Sequence, residues 1–201
     1  MIQYLPYLVF LGATVQLVGI YSYIKDTVRG DTKPNKVTWL LWSITPLIGT
    51  AAALTKGVEW AVLPVFMAGF GPLLVFVASF INKNSYWKLE RFDYWCGIFS
   101  LLALALWGIT NVAEVAIAFA IISDGFAAIP TLVKSWKYPE TESVGAFAAG
   151  IFSSITSFAA IKLWVFSALA FPIYLIIVDT LVVLAIYRRK IFPSNYFNLG
   201  V

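Results

Sequence analysis

Long apolar runs separated by short polar segments make up most of the chain, and this pattern predicts helices that cross a membrane. A hydrocarbon core of about 30 Å requires about 20 apolar residues in a helix. Seven runs approach or exceed that length: residues 4–24, 37–55, 58–81, 92–109, 112–136, 144–161 and 163–187. None shows the alternation of a membrane β-barrel strand, and a helix satisfies its own backbone hydrogen bonds in lipid. We therefore predict an all-α membrane protein with seven transmembrane helices.

The composition agrees with this class and argues against several others. Hydrophobic residues make up 61% of the chain and charged residues 12%, compared with roughly 45–50% and about 25% in soluble domains. Because Cys96 is the only cysteine and histidine is absent, an internal disulfide is excluded, and we expect no metal and no cofactor. The net charge of +4 indicates basic loops beside lipid headgroups rather than a nucleic-acid partner. The first run lacks a positively charged start, so we expect a retained helix and not a cleaved signal.

Lysine and arginine are distributed unequally between the two sides that seven helices define. Lys56 and Lys162 fall on one side, and the other twelve of the fourteen basic residues fall on the opposite side. These twelve are Lys25, Arg29, Lys33, Lys36, Lys83, Lys88, Arg91, Lys134, Lys137, Arg188, Arg189 and Lys190. Because cytoplasmic loops carry the basic excess, we predict that the N-terminus lies outside the cell membrane and the C-terminus lies in the cytoplasm. The expected aromatic anchors are Tyr4, Trp60 and Trp164 at the outer interface, and Trp39, Trp87, Trp136 and Tyr187 at the inner one.

The chain also contains a weak internal repeat of three helices. The end of the first run, at Ile20 to Lys25, corresponds to the end of the fifth, at Ile129 to Lys134. The later matches, in the same order, are Pro34 with Pro139, Thr38 with Ser143, Trp60 with Trp164 and Pro72 with Pro172. Because three is odd, a linker helix between the copies lets them run parallel through the membrane. We predict a first three-helix bundle at 1–82, a linker helix at 83–111, a second three-helix bundle at 112–190 and a cytoplasmic tail at 191–201.

One segment of the second copy, Pro130 to Ser135 followed by Pro139 to Ser143, resembles the signature of the SWEET and PQ-loop transporters. In that family a Pro-Gln pair is followed by a basic residue and a loop with serine or threonine. Here Thr131 replaces the glutamine, and Tyr21 replaces the proline of the first copy. The resemblance implies two facing three-helix bundles around a central solute pathway, with a proline hinge near the first helix of each bundle.

Proline removes a backbone hydrogen bond and clashes with the preceding turn, so a helix can bend there. Pro130, Pro72 and Pro172 are therefore the candidate hinges. The alternative is that each is a tolerated kink, because proline is common in membrane helices.

Five polar residues on five different runs are predicted to lie at one depth. Gln16, Asp124 and Asp179 precede a cytoplasmic basic flank by nine or ten residues, which is about 14–15 Å along a helix. Thr45 and Ser153 follow the cytoplasmic flank of their own runs by a similar distance. All five would therefore lie near the bilayer midplane, where transporters of this build bind their substrates.

Asp124 and Asp179 carry most of the functional argument. A carboxylate at the bilayer centre costs at least about 2.5 kcal/mol, so both should face the bundle interior or a water-filled cavity. They would bind a cationic or hydroxyl-rich solute, a proton, or both, and if adjacent they can share one proton. Alternatively, they stay protonated and hydrogen-bond between helices in a structural role. The candidates for stacking on a solute are Tyr21, Trp39, Trp42 and Trp107.

These features favour a membrane transporter that moves a small polar solute, such as a sugar, an amino acid or a vitamin-like molecule, by alternating access. A proton-coupled carrier is one alternative, and a non-transporting receptor or assembly protein on the same scaffold is another. The sequence has no nucleotide-binding loop, metal-ligand spacing or nucleophile elbow, so we predict no enzymatic activity. The expected partners are the lipid bilayer and the solute, and the sequence is also compatible with a homo-oligomer.

Overall fold

A computed structural model of the chain describes residues 6–83, 87–109 and 112–191. Within these ranges the protein is helical and contains no strand. The α-helices are α1 (Leu8–Arg29), α2 (Lys36–Thr55), α3 (Leu63–Ala78), α4 (Arg91–Ile109), α5 (Ala113–Lys137), α6 (Val144–Ala160) and α7 (Phe166–Ile191). Short 3-10 turns at Trp60–Val62 and Pro139–Thr141 precede α3 and α6. The predicted all-α class is therefore confirmed for the part of the chain that the structure describes.

Each predicted run overlaps with one of these helices, but the bounds differ where charged residues continue a helix. α1 extends to Arg29 and α7 extends to Ile191, beyond the predicted ends at 24 and 187. The apolar run ends earlier than the helix, because the charged segment that follows it includes no glycine or proline to end the helix. α1 ends where Gly30 adopts a φ of 94° and its N–H donates to the carbonyl oxygens of Asp26 and Thr27. Glycine adopts this left-handed conformation without a steric penalty. The prediction for Tyr4 lies outside the described residues, and so does the tail predicted at 191–201 except for Ile191, which ends α7.

Helix contacts place α3 and α7 in equivalent positions. α3 packs on both α1 and α2, and α7 packs on both α5 and α6. α1 also packs along α6, and α2 packs along α5. α4 packs mainly on α5, where the Ser100 hydroxyl bonds to the Ser123 carbonyl oxygen over 2.7 Å. Six helices thus surround a common centre, and α4 lies against their outer surface.

Most of the basic loops lie at one end of the helices, which we call the Lys134 end. The Lys33 N–H donates to the carbonyl oxygen of Thr141 over 3.0 Å, which joins the α1–α2 loop to the α5–α6 connection. Arg188 at the end of α7 donates to the carbonyl oxygen of Trp136 at the end of α5. The last turns of α1, α5 and α7 therefore meet at this end.

The opposite end, which we call the Trp60 end, is formed by the α2–α3 and α6–α7 connections. Lys162 and Glu59 form an ion pair over 2.8 Å across these two connections. The rings of Phe10, in the first turn of α1, and Trp60 lie 5.1 Å apart between centroids. Successive helices consequently run in alternating directions between the two ends.

α1 and α6 approach each other closely because small residues face one another. A Cβ atom added at Gly19 would lie 2.7 Å from the carbonyl oxygen of Gly145 and would also collide with the Cβ atom of Ala149. Small residues permit this kind of backbone approach between membrane helices. The long α1–α6 contact is thus specified by glycine on α1, which faces alanine and backbone atoms of α6.

Five helical segments are long and apolar enough to cross a membrane: α1, α2, the segment Trp60–Ala78, α5 and α7. α6 is a shorter apolar helix of 17 residues. α4 carries Arg91 and Asp93 in its first turn. By length and composition these helices fit a membrane protein, and for α4 and α6 the span rests on the sequence prediction alone.

The predicted interfacial role of Trp39 is wrong. Its side chain is only 2% exposed and lies in a core cluster with Tyr23 and Phe147. Its position at a helix end suggested an anchor in the interface, but the first turn of α2 faces the other helices. Trp60 and Trp164, by contrast, are 56% and 67% exposed.

Candidate functional site

A small central cavity lies between α1, α2, α3, α5, α6 and α7. Its volume, measured for the centre of a water-sized sphere, is about 40 Å³. One buried water needs about 10–15 Å³ on this measure, so the cavity holds about three water-sized groups. The side chains that line it include Gln16 from α1, Asp124 from α5 and Asp179 from α7.

Asp124 is 1% exposed, and both of its carboxyl oxygens accept hydrogen bonds. The Thr45 hydroxyl of α2 donates to Oδ1, and the Tyr174 hydroxyl of α7 donates to Oδ2 over 2.7 Å. The indole N–H of Trp42 donates to the backbone oxygen of Asp124 over 3.3 Å. Side chains from two neighbouring helices therefore fix both the carboxyl group and the backbone at this point of α5.

Asp179 has a different environment in the same cavity. Its carboxyl group has no hydrogen-bond or ion-pair partner among the residues that the structure describes. It lies against Gly150 of α6, where an added Cβ atom would overlap with Asp179 Oδ2. The absence of a side chain at Gly150 is thus what leaves space for this carboxyl group.

Gln16 adds a second unsatisfied acceptor. The residue is 5% exposed, and its Oε1 is buried without a hydrogen-bond donor in the described part of the chain. Unpaired buried polar atoms are uncommon, because each costs about 1–3 kcal/mol. Asp179 and Gln16 thus both present acceptors to the cavity that the protein itself does not satisfy.

Of the five residues predicted to share one layer, the structure brings four together. Gln16, Asp124 and Asp179 line the cavity, and Thr45 bonds to Asp124. Ser153 does not reach the cavity, because it faces α1, where its Cα atom would lie 3.1 Å from a Cβ atom added at Gly12.

Aromatic side chains form the wall of the cavity towards the Lys134 end. Trp39, Trp42 and Phe147 all line the cavity, and their ring centroids lie 5.5–6.2 Å apart. The Tyr23 ring lies behind Trp39, tilted by 47° with its centroid 4.7 Å away. Of the other predicted stacking residues, Tyr21 is 68% exposed on the outer surface, and the Trp107 side chain lies outside the described residues.

Behind these rings lies a buried ion pair that the sequence did not predict. Lys134 of α5 and Glu142 form an ion pair whose side chains are 1% and 0% exposed. The Tyr23 hydroxyl donates to Glu142 Oε2 over 2.5 Å, and the Lys134 ammonium group also donates to the backbone oxygen of Lys33. This network ties α1 and the α1–α2 loop to α5 and the α5–α6 connection. It closes the Lys134 end of the cavity.

Apolar side chains close the cavity towards the Trp60 end. Val65, Ile117, Phe171 and Leu175 pack there in one core cluster. A residual space of about 10 Å³ remains beside Phe171 and Pro172. The central cavity is therefore enclosed at both ends in this conformation.

The candidate hinge prolines all lie inside helices. Pro72 of α3 lines the central cavity, and Pro172 of α7 lines the smaller space near the Trp60 end. Pro130 is buried in α5, one turn before Lys134. Each removes a backbone hydrogen bond, Pro72 at the level of the cavity and Pro130 and Pro172 between the cavity and one end of the protein.

Sequence reasoning missed Tyr174, Phe147 and Gly150 as parts of this site. Tyr174 precedes Asp179 by five residues, which is about 140° around the helix axis, so the spacing gave no signal that both face the same site. Phe147 and Gly150 lie three residues apart on one face of α6, which is the spacing of neighbours on a helix surface. Ser153 follows Gly150 at the same spacing, so the sequence does not show where this row of residues turns from the cavity to α1.

No protein-family model matches the sequence, and the comparisons with curated proteins and with solved structures gave no significant match.

Proposed function

We propose that this protein is a membrane carrier that moves a small polar solute by opening its central cavity alternately to the two sides of the membrane. The Asp179 carboxyl group, which lines the central cavity without a partner among the described residues, is the observation that carries this proposal. A carboxyl group with a purely structural role is expected to have a hydrogen-bond partner, because leaving it unsatisfied inside the protein is costly. A solute that enters the cavity would supply the missing partner.

The proposed moving parts are two three-helix bundles, α1–α3 and α5–α7, with α4 as the linker between them. The equivalent positions of α3 and α7 support this division. All seven helices would span the membrane, with the basic Lys134 end in the cytoplasm. We also propose, from this arrangement of helices, that the protein resembles the SWEET and PQ-loop transporters.

Alternating access requires that one end opens while the other stays closed. The contacts that close the Lys134 end join α1 to the α5–α6 connection, and so they run between the two proposed bundles. Those that close the Trp60 end join Val65 of one bundle to Phe171 of the other within an apolar cluster. Bending at Pro72, Pro130 and Pro172 would let each bundle release one set of contacts without unfolding.

The experiment that tests this function is solute uptake into proteoliposomes. A panel of sugars, amino acids, nucleosides and small amines is offered with and without a pH gradient, and wild type is compared with Asp179→Asn and Asp124→Asn. Glu114→Gln is the matched control, because it removes a carboxylate that is 43% exposed at the start of α5. Saturable uptake that is lost in the two aspartate variants and kept in the control supports the carrier. Absence of uptake for every solute by folded protein contradicts it.

A further inference from the structure

The wall of the central cavity offers hydrogen-bond acceptors and negative charge. Asp124 and Asp179 are its charged residues, and among the described residues no lysine or arginine lines it. The unpaired Oε1 of Gln16 is a further acceptor. The nearby hydroxyl groups of Thr45 and Tyr174 already donate to Asp124. A solute that satisfies these acceptors must therefore bring hydrogen-bond donors and positive charge, and one acceptor on it could also pair with the unpaired indole N–H of Trp39 in the same wall.

The rest of the wall favours an organic cation over a metal ion. Trp39, Trp42 and Phe147 line the side towards the Lys134 end, and tryptophan is the aromatic side chain that attracts cations most strongly. Hard metal cations instead take six or more oxygen ligands, which Gln16 and the two aspartates do not provide.

We propose that the central cavity binds a small organic cation with an ammonium group, and that Asp179 is its principal ligand. This inference rests on the carrier function proposed above and names the substrate class of the same site. Asp124 is held by two donors and acts as the second negative group, while the free carboxyl group of Asp179 forms the direct ion pair. Gln16 accepts a further hydrogen bond from the ammonium group.

A proton competes with this cation for the same carboxyl groups. When the cavity holds no solute, a protonated Asp179 avoids an uncompensated charge inside the membrane. Binding then forms the ammonium–carboxylate pair and releases one proton, so that charge is conserved. The groups that face Asp179 are Asp124 from α5, Tyr174 from α7 and the uncharged Gln16, Trp42, Pro72 and Gly150 from the other helices.

The test is binding of three probes of nearly equal size to wild-type protein in lipid nanodiscs. The probes are ethanolamine, which is a cation at neutral pH, ethylene glycol, which is neutral, and glycolate, which is an anion. Tryptophan fluorescence reports binding, because Trp39 and Trp42 line the cavity. Sodium chloride is a fourth arm that represents a simple inorganic cation.

We expect saturable binding of ethanolamine alone, and weaker binding at pH 5 than at pH 8 because protons compete. Asp179→Asn should weaken ethanolamine binding by about tenfold or more, as expected for the loss of a charged hydrogen bond. Asp124→Asn is the second variant in case the first does not fold, and Glu114→Gln should bind like wild type. The three-probe comparison on wild-type protein needs no variant.

Equal fluorescence responses to ethanolamine and ethylene glycol would overturn the inference. A response to sodium chloride without a response to ethanolamine would also overturn it. Uptake of a neutral solute by protein that does not bind ethanolamine would also overturn it, while leaving the carrier function intact. Ethanolamine binding without uptake of any solute would instead contradict the carrier.

Discussion

The two aspartates that line the cavity differ in how far the protein satisfies them: Asp124 is buried, and Asp179 is partly buried. Asp124 accepts from Thr45 and Tyr174, whereas Asp179 faces the cavity beside Gly150 without a donor. The fixed carboxyl group contributes to holding α2, α5 and α7 together. The free one is available to a ligand. Asp179 is therefore the residue on which the proposed ligand binding depends most.

Gly150→Ala is expected to abolish or strongly reduce uptake. The new methyl group would overlap with Asp179 Oδ2, so the carboxyl group must leave its position in the cavity. Gly145→Ala on the same helix is the matched control, because its Cβ atom would meet Ser22 at an ordinary 3.9 Å. Uptake by both variants in proteoliposomes checks the prediction. Equal activity of the two would mean that the position of Asp179 is not needed.

Tyr174→Phe is expected to lower stability by about 1.5–3 kcal/mol, because Asp124 loses one of its two side-chain hydrogen bonds. Thermal unfolding of the purified protein in detergent measures the change. Tyr94→Phe is the control, since Tyr94 is 55% exposed. An unchanged unfolding temperature for Tyr174→Phe would show that this bond contributes nothing to holding α5 against α7.

The level of a residue along the helices could be predicted from the sequence, but its direction around the helix axis could not. Counting from the basic flanks correctly grouped Gln16, Asp124 and Asp179, because the rise of a helix per residue is constant. The same count also included Ser153, which faces α1 and not the cavity. Almost every face of these helices is apolar, so the pattern gives little indication of which face is buried.

At the scale of elements, the α-helices follow from the apolar runs, and their ends follow from local signals. Gly30 ends α1, and the Asn35 side chain caps α2 by accepting from the N–H groups of Val37 and Thr38. The buried pair of Lys134 and Glu142 could not be predicted in this way. In the sequence both lie in a charged loop that looks solvated, and only the packing of α1 and the α1–α2 loop over them excludes water.

Removing one member of the Lys134–Glu142 pair is expected to lower stability by about 3–5 kcal/mol, because it leaves an uncompensated buried charge. The double variant Lys134→Met with Glu142→Gln should be less destabilised than either single variant. Thermal unfolding of the four proteins gives the interaction energy by a double-mutant cycle.

The exposed pair of Lys162 and Glu59 at the Trp60 end is the control for this cycle. Its side chains are 70% and 58% exposed, so its coupling should be at most about 1 kcal/mol. Similar coupling energies for the two pairs would contradict the assignment of a desolvated network to the Lys134 end.

At the scale of the whole molecule, the central cavity is closed at both ends, but by contacts of different kinds. A buried polar network closes the Lys134 end, and apolar side chains close the Trp60 end. Polar networks are geometrically specific, whereas apolar contacts tolerate small displacements. The two ends therefore have separate contacts that can break independently, as an alternating cycle requires.

Locking the Lys134 end should stop transport reversibly. Lys33 and Thr141 are joined by a backbone hydrogen bond of 3.0 Å between loops that belong to the two proposed bundles. Cysteines at these positions, in a Cys96→Ala background, are close enough for a disulfide. Uptake should be lost on oxidation and return on reduction. Full uptake by the cross-linked protein would contradict opening at this end.

The most direct test of alternating access needs no known solute. Gln16→Cys and Ser153→Cys are compared in the Cys96→Ala background, using membrane vesicles of both orientations and a membrane-impermeant thiol reagent. Position 16 lines the cavity, and position 153 is packed against α1 at a similar predicted depth. The proposed mechanism predicts labelling of position 16 from both sides of the membrane and protection of position 153. Protection of position 16 from both sides would contradict the carrier and favour a receptor with a dry, packed interior.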